Sequence, residues 1–292
     1  MSLRLLAGYL LAGCLLVAGV AQGKTLVCAD EFSDSIKITD LLKGVDTLAA
    51  NQSKILFLAK GFQGTPYQGG TLETFPFERL VVRTDSVDCT TFVEYVLAMY
   101  LTDQQRKQVN EGEKQLYAQF KKNLQTIRYR GGELHGYTSR LHYFSEWILD
   151  NERKGIVQEV TKSSPYAVRK FDLNFMSTHA SLYPMLANAD NLSAMKTIER
   201  GWYGYQMAYI PKEKLSAGKE VLDIRDGDIL TLATNISGLD VVHVGFACWL
   251  DGQLHLLHAS SARKRVLLDP HTLYTYSKTN KSHLGIRVIR VL

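Results

Sequence analysis

The amino-acid sequence predicts an α+β fold, with helices early in the chain and an antiparallel sheet late in it. Apolar residues recur at helical spacing in the stretch that begins near Asp88. After Val221 the chain changes to short runs rich in β-branched and aromatic residues, punctuated by Asp-Gly and Ser-Gly pairs. This segregation of helices and strands is typical of α+β folds rather than of alternating βαβ units.

The first long helix is predicted from about Asp88, after a loop-rich stretch at 56–79 that contains several glycines and prolines. The stretch 102–150 keeps helical spacing but is mostly polar, and 192–203 is a further helical candidate. The apolar positions of the first helix are Phe92, Val93, Val96, Leu97 and Tyr100.

Four short strands are predicted at the C-terminal end of the chain. Turn-forming pairs precede or separate them, which indicates an antiparallel meander. The predicted strands are 229–233, 241–250, 253–259 and 286–292, and the turn pairs are Asp226-Gly227, Ser237-Gly238 and Asp251-Gly252.

Length and composition narrow the class of protein. The 292 residues are 46% hydrophobic and 22% charged, which excludes a disordered, coiled-coil or collagen-like chain. A formal net charge of +5 is too small to indicate a nucleic-acid partner, although it suits an anionic one.

Residues 1–23 are predicted to be an export signal, with Arg4 before an apolar run from Leu5 to Ala21. The mature protein is therefore expected in the periplasm or cell envelope. A retained membrane anchor and a lipoprotein attached through Cys14 are the two alternatives. No later apolar run reaches the 18 residues of a membrane span, so none is predicted in the mature chain.

Removal of the signal leaves Cys28, Cys89 and Cys248. An odd number of cysteines in an oxidising compartment leaves at least one thiol unpaired. A disulfide between Cys28 and Cys248, with Cys89 free, is one open hypothesis. A buried inert thiol and a nucleophile are the two interpretations of the unpaired residue.

Cys89 falls in the predicted first turn of the helix, with Asp88 as a plausible N-cap. The positive end of the helix dipole and the unpaired backbone N–H groups there favour a thiolate, the nucleophilic form. A capped small residue with no chemical role is the alternative.

Strand register predicts which histidines can act together. If Asp251-Gly252 is a two-residue hairpin loop, Leu250 opposes Gln253 and His243 opposes Ser260. His258 then lies diagonally from His243 on the same sheet face. His255 would oppose Cys248 on the other face, whereas a three-residue loop would reverse this choice. Histidines that only fill a strand remain the alternative, and no metal site is predicted, because HExxH and CxxC motifs are absent from the sequence.

Several segments together resemble a known family. The chain is similar to the NlpC-type cell-wall cysteine peptidases of papain-like fold, and more closely to their N-acetylmuramoyl-L-alanine amidase-like branch. The segments run from about residue 50 to the C-terminus: 64–67 (GTPY), 87–94 (VDCTTFVE), 139–147 (SRLHYFSEW), 226–228 (DGD), 243–246 (HVGF) and 258–261 (HASS).

The resemblance implies Cys89 as nucleophile, His243 as general base and then acid, and His258 as the residue that orients His243. It also implies a bacterial envelope enzyme that cleaves the amide between the muramic acid lactyl group and L-alanine in peptidoglycan fragments. Anhydro-muramoyl peptides are the expected substrates, and no metal or organic cofactor is expected.

The implied architecture is a single catalytic domain over 24–292. Its papain-like core would comprise about 50–100 and 221–292, with a helical insertion over about 101–220. The 154 positions between Cys89 and His243 are the reason to expect so large an insertion.

One departure from the wider superfamily bears on the reaction. Thr90-Thr91 stands where the related endopeptidases have Ser-Gly, whose serine, with the preceding aspartate, helps hold a free peptide amino group. The difference favours the amidase branch. An endopeptidase that cuts between D-glutamate and the diamino acid, and a non-catalytic peptidoglycan-binding module, remain alternatives.

Weaker candidates for substrate binding lie in and around this framework. Arg140 could hold a carboxylate of the peptide stem, or it could lie on a solvated helix face. Tyr67 could line the cleft or pack in the core. The basic segment 263–265 could attract an anion or be a solvent-facing strand end. The full set of substrate-site candidates is Asp88, Tyr67, Arg140, His142 and Tyr143.

Overall fold

A computed structural model describes residues 31–106 and 112–292. The α-helices of these ranges are α1 (Glu31–Gly44), α2 (Lys54–Lys60), α3 (Cys89–Arg106), α4 (Glu113–Arg128), α5 (Phe144–Arg153), α6 (Phe175–Thr178), α7 (Ala189–Arg200) and α8 (Leu273–Lys278). The strands are β1 (Val157–Glu159), β2 (Ala167–Phe171), β3 (Tyr205–Pro211), β4 (Ile229–Thr234), β5 (Val241–Leu250), β6 (Gln253–Ser260), β7 (Arg265–Leu268) and β8 (His283–Val291). The predicted α+β class is confirmed.

The strands form an antiparallel sheet in the order β2-β3-β8-β4-β5-β6-β7, and β1 also pairs with β8. The predicted meander is present as β4, β5 and β6, and it continues into β7. The last strand, β8, returns to pair with β4 along its length, which places the C-terminal strand inside the sheet.

The segment 101–220 is not purely helical, contrary to the prediction. Helices α4, α5 and α7 confirm its helical spacing, but β1, β2 and β3 lie between or after them and join the sheet beside β8. These strands are short, and β2 is exposed at alternate positions, so their hydrophobic pattern is weak. The division into core and insertion stays a prediction.

The hairpin between β5 and β6 has the predicted two-residue loop. Asp251 and Gly252 have φ angles of 48° and 75°, the left-handed conformations that a type I′ turn requires. Leu250 pairs with Gln253, and Cys248 pairs with His255. The predicted register is therefore confirmed, and it decides which side chains share a face.

Hydrophobic cores lie on both faces of the sheet. Helix α3 is buried over most of its length and packs on one face, where Phe92 meets Phe246 of β5 with ring centroids 5.5 Å apart. Leu232, Ala247 and Leu256 belong to the core of the other face. This packing fixes the first turn of α3 against the sheet.

The predicted signal peptide, with Cys14, and also Cys28 lie outside the described residues, so the export route and the Cys28–Cys248 pairing stay predictions. Within the described ranges, no helix has the length and apolar character needed to cross a membrane.

Candidate active site

Cys89 is the first residue of α3, and Asp88 caps this helix as predicted. The Thr91 backbone N–H donates to Asp88 Oδ1 at 2.8 Å, and the Asp88 backbone N–H donates to Thr91 Oγ1 at 2.9 Å. This reciprocal pair satisfies a backbone group on each residue and locks the first turn. The nucleophile candidate thus sits on a rigid element.

The thiol of Cys89 reaches the sheet at the point where β5 and β6 stop pairing. Their ladder ends at Phe246 and Leu257, and the backbone N–H of Val244 donates a hydrogen bond to the Cys89 sulfur. Val244 directly follows His243, so the thiol lies against the part of β5 that carries the base candidate.

The structure reverses the expectation that Cys89 rests as a thiolate. Burial and the neighbouring Asp88 carboxylate raise the pKa of the Cys89 thiol to about 12, and the hydrogen bonds from Val244 and Thr90 offset this only in part. The helix terminus alone does not ionise the thiol, which therefore needs a base to take its proton.

His243 and His258 are brought together as the register predicted. His243 Nε2 lies 2.6 Å from His258 Nδ1, and the two rings meet edge to face with centroids 4.8 Å apart. Burial, followed by the nearby His258 and His283, lowers the pKa of His243 well below its usual range. A neutral His243 can accept a proton, and its contact with His258 fixes the orientation of its ring.

Asp269 extends this pair and was not among the residues predicted from the sequence. Its Oδ2 atom lies 3.4 Å from His258 Nε2, and Oδ1 accepts a hydrogen bond from the backbone of His271 at 2.9 Å. Burial alone would raise the pKa of Asp269, but His258 and His271 lower it to about 2. The Asp269 carboxylate is therefore ionised and lies next to the Nε2 atom of His258.

Two further residues shape the site. The Tyr276 ring of α8 packs edge to face on His258, with centroids 5.5 Å apart. Gly245 leaves room for His258, since a Cβ atom at this position would lie 2.9 Å from the His258 Cβ and 2.7 Å from the Leu257 carbonyl. The hairpin register places Gly245 opposite His258, so the role of Gly245 could have been predicted from the sequence. No sequence pattern near Asp269 indicated its contact with His258.

Arg140 is not open to a substrate carboxylate. Its side chain is buried and forms an ion pair with Glu73 and a second pair with Glu78, whose Oε1 lies 3.3 Å from Arg140 Nε. Two carboxylates of the chain itself already occupy the guanidinium. The structure thus argues against the predicted substrate role of Arg140.

The other two candidates of this segment also have partners within the chain. Tyr143 is buried, donates to Glu199 Oε1 and accepts from the Met176 backbone N–H, both at 2.7 Å. His142 Nε2 lies 2.9 Å from the Tyr137 carbonyl oxygen. Burial, helped by Arg140, lowers the pKa of His142 well below its usual range. These contacts indicate structural roles for both residues.

Tyr67 lies close to the nucleophile. It forms a parallel bridge with Val87, two residues before Cys89, and its backbone N–H donates to the Lys264 carbonyl at 2.9 Å. The side chain is partly buried and packs against the core that holds α3. Tyr67 and the cap residue Asp88 remain candidates for contact with substrate.

The remaining histidine and cysteine of the hairpin lie away from this pair. His255 pairs with Cys248, which is buried and forms no disulfide within the described ranges, and His255 Nδ1 lies 3.0 Å from the Asp269 carbonyl oxygen. Within 31–106 and 112–292, no group of three or more His, Cys, Asp or Glu side chains is arranged to hold a metal ion.

Comparison with known proteins identifies the family. The sequence pattern of the AmiA-like, N-acetylmuramoyl-L-alanine amidase-like family matches residues 58–286, which include Cys89, His243, His258 and Asp269. The chain belongs to this family. A comparison with functionally curated proteins finds no match.

Solved structures agree with membership of the amidase-like family. An N-acetylmuramoyl-L-alanine amidase from Bacteroides uniformis is 41% identical, with a TM-score of 0.74 over 82% of this chain and 97% of its own. A Bacteroides fragilis protein provisionally named a xylanase is 46% identical, with a TM-score of 0.73 over 80% and 99% of the two chains. A Legionella pneumophila protein shares the fold at 22% identity, with a TM-score of 0.65 over 90% and 96%.

Proposed function

We propose that this amidase-like protein is a cysteine amidase that hydrolyses the bond between the muramic acid lactyl group and L-alanine. The observation that carries the proposal is the His243–His258 pair, joined at 2.6 Å beside the strand residue that hydrogen-bonds the Cys89 thiol. A nucleophile, a neutral base and a group that orients the base are the parts that acyl transfer requires.

The geometry supports a two-step reaction. His243 takes the proton of the Cys89 thiol as its sulfur attacks the lactyl carbonyl carbon, and N–H groups of the first turn of α3 stabilise the oxyanion. The C–N bond then breaks, the L-alanine amine leaves with the proton from His243, and a thioester remains on Cys89. Water, deprotonated by His243, cleaves the thioester and releases the muramic acid carboxylate and the free thiol.

The raised pKa of Cys89 fits general-base catalysis better than a resting ion pair. His258 and Asp269 stabilise the positive charge that forms on His243 when it takes the proton. Asp269 acts only through the two imidazoles, so it is a positioning residue.

The finer parts of the proposal rest on the sequence resemblance. They are the papain-like core, a preference for anhydro-muramoyl peptides, and export to the bacterial envelope by the signal at residues 1–23. An enzyme of the envelope would meet these fragments where wall turnover releases them.

The name of the Bacteroides fragilis neighbour raises glycoside hydrolysis as the competing reaction. That chemistry uses two carboxyl groups, one of which must carry a proton as general acid. Asp269, the carboxylate beside the two histidines, has its pKa lowered to about 2 and so stays ionised. This feature disfavours glycosidase chemistry at the Cys89 site.

One digestion experiment separates these reactions. Purified protein is incubated with an anhydro-muramoyl tetrapeptide, its reducing counterpart and xylan, and the products are weighed by mass spectrometry. The proposal predicts free stem peptide that begins with L-alanine. A fragment cut after D-glutamate would assign the endopeptidase instead, and xylan oligomers without stem release would assign the glycosidase.

A further inference from the structure

The basic turn, defined here as Arg263, Lys264 and Arg265, follows β6 and includes the first residue of β7. All three side chains are exposed, and none of them forms an ion pair with any residue in the described ranges. Three adjacent cations that form no ion pair within the described ranges create a positive potential in the solvent at this turn.

The register of β6 and β7 puts one of these cations on the catalytic face. His258 pairs with Leu267, and Ser260 pairs with Arg265. Directly opposed residues in an antiparallel ladder share a face, as do residues two apart along a strand. The Arg265 side chain therefore lies on the face of His258, as its diagonal neighbour, at about 7–8 Å between backbones.

A second set of contacts joins the turn to the nucleophile. Pro66 forms a bridge with Arg265, and Tyr67 forms a bridge with Val87. Two strand spacings therefore separate Arg265 from Val87, about 10 Å. Cys89 follows Val87 by two residues, so the turn lies near both His258, the residue that orients the base, and the nucleophile.

We infer that Arg265, assisted by Arg263 and Lys264, forms a subsite for a carboxylate on the peptide stem of the substrate. An arginine with a free guanidinium is suited to bind a carboxylate in a bidentate pair. The inference rests on the proposed function for the identity of the substrate. It assigns to Arg265 the contact that the sequence suggested for Arg140.

The test compares two substrates that differ in one charge. One is N-acetylmuramoyl-L-alanyl-D-glutamate, and the other is the same compound with the D-glutamate α-carboxylate converted to an amide. For Arg265→Gln we expect KM to rise about 10-fold or more on the acidic compound, with kcat nearly unchanged, because a charged hydrogen bond is lost. On the amidated compound KM should change less than about 3-fold. If a different stem carboxylate occupies the subsite, a tripeptide stem amidated only at its C-terminus shows the selective effect instead.

Two variants control this comparison. Arg265→Lys keeps the charge and should recover part of the affinity, while Lys196→Gln removes an equal charge from α7 and should leave both KM values unchanged. Equal KM changes on all substrates, or no change on any of them, would overturn the inference.

A binding arm makes the test independent of turnover. Calorimetry on Cys89→Ala protein, with and without Arg265→Gln, measures affinity for the acidic and amidated compounds. A selective loss for one acidic compound supports the subsite even if the amide is not cleaved. Cleavage by the parent enzyme without any selective loss overturns the subsite and leaves the proposed function intact.

Discussion

Two groups of polar side chains in this molecule differ in what their members contact. At the end of β5 and β6, the imidazoles of His243 and His258 lie 2.6 Å apart, and the Cys89 thiol contacts Val244, the residue after His243. In the second group, Arg140 is enclosed by the carboxylates of Glu73 and Glu78. The imidazoles of the first group have the chemistry needed for proton transfer to a substrate. In the second group, the charge of Arg140 is already neutralised by carboxylates of the chain itself.

The difference shows that residue type alone does not mark a site. From the sequence, Arg140 could hold a carboxylate of the substrate, but in the structure it pairs with Glu73 and Glu78 of the chain itself. Arg265, which has no such partner in the described chain, is the arginine that a ligand could use.

The largest effect on stability is expected for Arg140→Gln. Two partly buried carboxylates lose their cation, and breaking a buried ion pair costs about 3–5 kcal/mol in the free energy of unfolding. Chemical denaturation measures the loss, and the more exposed Arg83→Gln, which breaks a pair with Asp85, should cost less than about 1 kcal/mol. At a temperature where the variant is folded, an unchanged KM agrees with a structural role. A selective rise in KM would restore Arg140 to the substrate site.

The next prediction concerns Asp269, the carboxylate that lies beside His258. Asp269→Asn keeps the shape of the side chain but removes the charge that stabilises protonated His243 through His258. We expect kcat to fall about 10- to 100-fold with KM little changed. Asp251→Asn in the β5–β6 turn makes the same charge change and should leave kcat as it is. A variant with full kcat would remove Asp269 from the mechanism.

Three histidines of the molecule, His243, His142 and His283, are neutral in the folded state. Burial lowers the pKa of His243 and His142 well below the usual range and that of His283 to about 4. Below pH 6.5 these histidines become protonated in the unfolded chain but stay neutral in the folded protein. The free energy of unfolding therefore falls as the pH falls. Asp269 acts only at lower pH, because its contribution is lost between its ordinary pKa and about 2.

Denaturation between pH 6.5 and 5 should therefore show a loss of about 1 kcal/mol per pH unit for each of the three histidines. His142→Asn should remove about one third of that slope without affecting the pH dependence of kcat. A stability that stays flat over this range would contradict the neutral state assigned to these residues.

The sequence predicted the local features of the candidate site but not the contacts between distant parts of the chain. Local signals predicted the helix at Cys89, its Asp88 cap and the hairpin at Asp251-Gly252, and the hairpin register then selected His243 and His258. Contacts between distant parts of the chain escaped prediction, because Glu73 and Glu78 are more than 60 positions before Arg140 and no pattern joins them. Burial of the Cys89 thiol, which raises its pKa, likewise depends on tertiary packing.

The smallest expected change is in the reactivity of Cys89, and it tests the cause of the raised pKa of its thiol. Asp88→Asn keeps an oxygen that caps α3 but removes a negative charge beside the thiol. The pKa of Cys89 should fall, and alkylation by iodoacetamide at pH 8 should speed up by as much as about tenfold. Asp85→Asn, with the same charge change on an exposed residue, is the control. An unchanged rate would mean that Asp88 does not hold the thiol neutral.

The nucleophilic role of Cys89 is tested most directly by mass spectrometry of a muropeptide digest with Cys89→Ala protein. Circular dichroism and thermal unfolding first establish that the variant is folded, and Cys248→Ala serves as the matched cysteine control. We expect release of stem peptide to fall at least about 1,000-fold with Cys89→Ala and to persist with Cys248→Ala. Undiminished release by the folded Cys89→Ala variant would contradict the nucleophilic role.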